Sequence, residues 1–270
     1  MIANLLISRR LAPSDLAAAL AGVVGVPAER VDVCDEDGDQ DGRDWEAPVL
    51  CTYHEVLGDV MMSLDIYVRD DAGTDAGEPD LAQAFAIRAG VGTLYPDDRR
   101  DPETYWLADP DGTVTRARLI ATDDERPVYT VDAVEAPSTA FPGATVTPLA
   151  EILRAEPIPT PLAAAIDFEN PAVVSLTIWE RLVRRMAAGW PPAGRYLPEL
   201  YAEDLRMRDH LERELAESPE QERVALAAAT VEVDALFREL TEEDPAAAPA
   251  DAAWWRTRRP RRAGWPEAAD

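Results

Sequence analysis

Four positions carry all the imidazole and thiol in this chain of 270 residues: Cys34, Cys51, His54 and His210. Cys51 and His54 lie three apart in a β-prone run. Odd spacing on a strand sends side chains to opposite faces, which disfavours a thiolate–imidazole pair. His54-Glu55-Val56-Leu57-Gly58 opens like a zinc-protease motif, but glycine stands where the second histidine belongs. A two-histidine zinc site would have to draw His210 from the C-terminal half. His210 falls between Arg206 and Glu214 on the polar side of a predicted helix and reads as a solvated residue.

Carboxylates offer more. Asp37-x-Asp39-x-Asp41-Gly42 has the oxygen ligands and the turn glycine of the first half of a calcium loop. The second half fails, with Asp44 at the eighth position and Pro48 at the twelfth. Starting at Asp35 recovers Glu46 as the twelfth residue and loses the glycine. The expectation is a solvated acidic loop with no metal. Asp97/Asp98 and Asp123/Asp124 stand in turns beside arginines and read as surface. Gly-x-Gly-x-x-Gly, P-loop, Gly-x-Ser-x-Gly and Cys-x-x-Cys motifs are all missing. No catalytic residue and no cofactor is therefore assigned.

What dominates is charge. The chain has 52 acidic residues against 26 basic ones, a formal net charge of −26, and every basic residue is arginine. Arginine without lysine, with abundant alanine and aspartate, matches GC-rich bacterial coding. Between residues 31 and 80 there are 16 acids and only Arg43 and Arg69. Unpaired carboxylates cannot be buried at an acceptable energy, so this stretch must project into water. A field of that sign repels nucleic acid and anionic membranes and speeds encounter with basic proteins. The sequence thus predicts a non-catalytic binding protein with a basic protein partner, of the immunity or antitoxin type that neutralises a toxin. Asp35, Asp37, Asp39 and Asp41 are expected to steer that partner, and Asp44 with Trp45 to anchor it. Two alternatives stay open. One is a small-molecule enzyme or binder with a cleft at His54, using Tyr53 or Glu55. The other is a subunit of a larger assembly. The amino terminus lacks the layout of a signal peptide, no segment approaches membrane-spanning length, and two cysteines fit a reduced compartment, so a cytoplasmic location is expected.

The elements that must position these residues follow from periodicity. Ala3–Ser8 reads as a strand, and Pro13-Ser14-Asp15 opens a helix stopped by Gly22 and Gly25. Val31 and Val33 start a second strand that runs into the acidic loop. Val49–His54 and Val60–Val68 read as a hairpin turning at Gly58-Asp59, its second arm alternating strictly between apolar and other residues. Pro79-Asp80 opens a second helix, and a meander follows around the turn Asp109-Pro110-Asp111-Gly112. The fold class is α+β: an N-terminal antiparallel sheet with two helices on one face over residues 1–136, then a C-terminal helical region. Residues 137–172 read as a proline-rich connector, 173–244 as a helical domain, and 245–270 as a flexible basic and aromatic tail. Ser218-Pro219-Glu220-Gln221 reads as a capping box. The helix it opens has two apolar faces, Val224/Ala228/Val231/Ala235 and Leu226/Val233/Phe237/Leu240, which leaves self-association through 219–240 open.

Overall fold

The computed structural model describes residues 1–72, 76–97, 103–244, 249 and 252–265. The class is α+β, with two compact units dividing between Leu149 and Ala150. The proline-rich stretch 137–172 therefore does not stand apart as a connector. Its first part belongs to one unit and the rest to the other.

In the first unit the strands are β1 (Ile2–Ile7), β2 (Val31–Asp35), β3 (Val49–Glu55), β4 (Leu57–Gly58), β5 (Met62–Val68), β6 (Thr93–Pro96), β7 (Thr104–Ala108), β8 (Val114–Ala121), β9 (Val128–Val134) and β10 (Thr145–Val146). They form one sheet in the order β10-β9-β8-β7-β6-β1-β5-β3-β2, with β4 attached to β9. Helices α1 (Pro13–Val24) and α2 (Glu78–Ala89) share a core with β1, β3 and β5. In β5 the alternation delivers Met62, Leu64, Ile66 and Val68 to that core and leaves Asp65 and Tyr67 exposed.

The sheet is mixed, not purely antiparallel: β2–β3, β4–β9 and β9–β10 are parallel pairs. The first of these matters most. Parallel neighbours need a crossover of about a dozen residues, and between β2 and β3 that crossover is the acidic stretch 36–48. Nor is Gly58-Asp59 a tight hairpin turn. The β3–β5 connection reaches over to β9, where Asp59 accepts from the Val131 amide at 2.9 Å. Gly58 has φ +112, and a Cβ on it would lie 2.0 Å from the Tyr129 carbonyl oxygen, so only glycine fits. The sheet thereby curls around a second apolar cluster of Val60, Leu94, Leu107, Leu119, Val131 and Phe141. Residues 138–141 close it through Asp109, which accepts from the Ser138 hydroxyl and from the Thr139 and Ala140 amides.

The second unit contains α3 (Ala150–Ala155), α4 (Pro161–Ala164), α5 (Pro171–Ala187), α6 (Pro198–Glu217), α7 (Glu220–Leu240), β11 (Thr241–Glu243) and β12 (Arg258–Pro260). Trp179, Leu182 and Val183 of α5 pack with Leu205 and Leu211 of α6 and with Leu226, Val233 and Phe237 of α7. The buried Asp234 binds the Trp179 indole N–H at 3.0 Å and both Nε and Nη2 of Arg208. Two sequence expectations change here. The Ser218 hydroxyl donates backwards to the Glu214 carbonyl and does not cap α7. Only the Leu226/Val233/Phe237 face of α7 is covered; Val224 and Val231 are 64% and 66% exposed.

The expected flexible tail is also corrected over its described residues, 252–265. β12 pairs antiparallel with β11, Trp255 is buried with its ring under the Arg208 guanidinium, and Arg256 makes an ion pair with Asp209. The Trp190 indole donates to the Arg262 carbonyl at 2.8 Å. The aromatic and basic residues that resemble a free binding tail in one dimension are the closing strip of a core.

Candidate partner-binding surface

On the helix-free face of the sheet Asp32 of β2 and Thr52 of β3 are diagonal neighbours, because β2–β3 register pairs Asp32 with Leu50 and Cys34 with Thr52. The crossover is clamped to this face by one cation. Arg43 donates from Nε to Asp32 Oδ1 at 2.8 Å and from Nη1 to Thr52 Oγ1 at 2.8 Å, while Asp32 Oδ2 accepts from the Asp44 amide at 2.9 Å. Arg43 thus neutralises a strand carboxylate; of the loop's own acids Glu46 pairs with Arg69 and Glu36 lies against His54, while Asp37, Asp39 and Asp41 face water.

The remaining loop geometry comes from the chain itself. Asp35, Asp39 and Asp44 each accept from the amide two residues on, at 2.9–3.1 Å. This is the turn chemistry that makes aspartate common in loops. Gln40 adds a staple, its amide nitrogen lying within 3.0–3.3 Å of the Asp35, Glu36 and Gly38 carbonyls. Within the Asp37-x-Asp39-x-Asp41 run only the Asp39 side chain makes such a turn bond. Among the described residues no group of three or more His, Cys, Asp or Glu side chains is placed to hold a metal ion.

Of the six residues singled out from sequence, Asp37, Asp39, Asp41, Asp44 and Trp45 are exposed and Asp35 is half-buried at the foot of the loop. Trp45 is 58% exposed, with its ring 4.8 Å from the Arg43 guanidinium carbon. An open depression of about 520 Å³ runs from Trp45 past Tyr67 and Arg69 to Asp70 and Asp71. Tyr67, 46% exposed, was not foreseen as a site residue; it faces Ile2 directly across the β1–β5 ladder, and Ile2 is exposed as well. The signal was in the sequence, since Tyr67 holds an outward position of the alternating β5 arm.

The nucleophile candidates separate as their spacing requires. Cys51 is buried in the core under α1 and α2, and burial pushes its thiol up to about 12. His54 lies on the open face, 3.0 Å from Glu36. His210 is exposed on α6. Tyr53 is raised above the ordinary phenol value by burial first and by the Asp35 carboxylate second. These groups do not converge on a common point.

Comparison of the chain with protein-family models, with curated proteins and with solved structures gives no match in any of the three. Among the described residues no helix is long and apolar enough to cross a membrane.

Proposed function

We propose that this protein is a non-catalytic binding protein that takes up a basic protein partner on the surface around the 36–48 crossover. The observation that carries the reading is the juxtaposition of held-open carboxylates with exposed rings. Asp37, Asp39, Asp41 and Asp44 sit in a loop fixed by turns and by the Gln40 and Arg43 contacts, and Trp45 and Tyr67 line the adjoining depression. Carboxylates that are already positioned cost little ordering entropy on association and act chiefly on the encounter rate. Exposed aromatic rings beside them supply the contacts that set the dissociation rate. The narrower form of the proposal is inhibition: the partner is a cationic toxin whose active cleft the loop covers, in a bacterial cytoplasm.

The test is capture of basic partners from the native host, followed by association kinetics. Changing Asp35, Asp37, Asp39 and Asp41 together to asparagine is expected to slow association about tenfold or more at low salt and to have little effect at high salt. Trp45→Ala is expected to leave association nearly unchanged and to speed dissociation by about tenfold or more. An association rate that ignores the four aspartates at low salt would reject the steering role.

A further inference from the structure

A second place in the molecule has the opposite electrostatic character. Between α5 and α6 of the helical unit lies a cavity of about 370 Å³ whose polar wall is Arg154, Arg181, Arg185, Tyr196, Glu203 and Asp204. Three guanidinium groups converge there in a protein of net charge −26.

Their bonding sets them apart from one another. Arg185 is almost fully buried, and its Nη1 and Nη2 donate to the Pro191 and Leu153 carbonyls at 2.7 and 2.6 Å. Those are neutral acceptors, and the carboxylates that act on it, Asp204 and Glu156, do so through space without a hydrogen bond to it. The Tyr196 ring lies under it at 5.3 Å. Arg154 is engaged by Glu203 at 2.8 Å. Arg181, one helical turn before Arg185, lines the same cavity and has no hydrogen-bond or ion-pair partner among the described residues. Asp204, which lines the same cavity, accepts from the Tyr196 hydroxyl at 2.7 Å, and its burial pushes it above the usual carboxylate range. Like charges one turn apart on a helix repel. Arg181 therefore presents an unbonded guanidinium to the void, where a bound anion would relieve that repulsion.

We propose that this cavity binds a small organic anion, its oxyanion head held by the fork of Arg181 within the field of Arg185 and its apolar body lying against Ile178, Leu200 and Met207. The volume is that of an ordinary small-ligand site, and a free guanidinium fork matches carboxylate or phosphate oxygens two at a time. Inorganic anions would fill the head position and leave the apolar wall unused. The inference stands on the helical unit alone and does not depend on the partner-binding loop.

Titrating the full chain with phenyl phosphate, followed by amide and arginine side-chain NMR, tests it. Saturable shifts are expected at Arg181, Arg185, Tyr196 and Asp204, with benzyl alcohol and inorganic phosphate each binding more weakly. Arg181→Gln removes the charge from a side chain with no partner, so the fold should persist while phenyl phosphate affinity falls about tenfold or more. Asp204→Asn removes a competing negative group and should tighten binding severalfold. Three results would overturn the proposal: no saturable shift, equal binding of benzyl alcohol, or unchanged affinity in a folded Arg181→Gln protein.

Discussion

Arg43 is the residue on which the loop geometry turns. It is one of only two cations in the acid-rich third of the first unit, and it is spent on Asp32 beneath the loop, where both side chains are largely buried. Breaking such a pair leaves a desolvated charge behind, so Arg43→Ala should cost about 2–3 kcal/mol of stability, read from the urea midpoint. Replacing Arg43 and Asp32 together by methionine and leucine should recover part of that loss. Cys51 gives a pH signature of determinable sign. Its folded pKa, about 12, lies above the ordinary 9.0, so the folded state holds the proton more tightly. The stabilisation is intact below pH 9 and is lost as pH rises towards 12, at up to about 1.4 kcal/mol per pH unit. Denaturation followed between pH 8 and 10, below the range where the buried tyrosines add a slope of the same sign, should show this loss, and Cys51→Ala should reduce it. The residues of the loop were legible in sequence because carboxylates in number can only face water. The outward position of Tyr67 was legible too, from the β5 alternation, but its place beside Trp45 and the place of Arg181 and Arg185 in one cavity come from tertiary packing.

Elements were legible where local pattern decides. α1 begins at Pro13, runs through Gly22 and stops at Gly25; α2 begins one residue before Pro79 and stops at Gly90; and the β7–β8 turn forms at Asp109–Gly112 as its residues demand. What local pattern does not determine is strand direction. Val31–Asp35 and Val49–Glu55 look the same whether they pair parallel or antiparallel, and the intervening loop was long enough for either. The β4 excursion was hidden for a related reason: the need for glycine at position 58 comes from Tyr129. Gly58→Ala should therefore destabilise the first unit by about 3 kcal/mol, more than a loop alanine usually costs, as thermal melting would show. The α7 face calls for a choice of probe. Phe237 is buried in the helical core, so an aspartate there would report unfolding. Val231→Asp keeps the core intact; sizing at increasing concentration should show any self-association through this face vanish in that variant, with thermal stability within about 0.5 kcal/mol of the parent.

At the scale of the whole molecule, the charge of −26 acts on stability as well as on partners. Exposed like charges repel in the compact state and are screened by salt. Raising sodium chloride from about 10 to about 300 mM should raise the melting temperature by several degrees, whereas a neutral osmolyte at matched osmolality should not reproduce the salt dependence. The two-unit division was only partly visible in sequence. Proline density marked a change of character after residue 136, but prolines at 142 and 148 serve the first unit's closing loop and the chain changes unit only at Ala150. The C-terminal strip carries a consequence for how the molecule can be taken apart. Residues 252–265 keep their place through strand pairing with β11, the Asp209 ion pair and the Trp190 and Arg208 contacts, none of which needs the peptide link leading into them. Severing the chain just ahead of Ala252 should leave two pieces that stay together and, once separated, find each other again. The excised peptide would then be a ready-made reporter of whether the remainder has kept its shape.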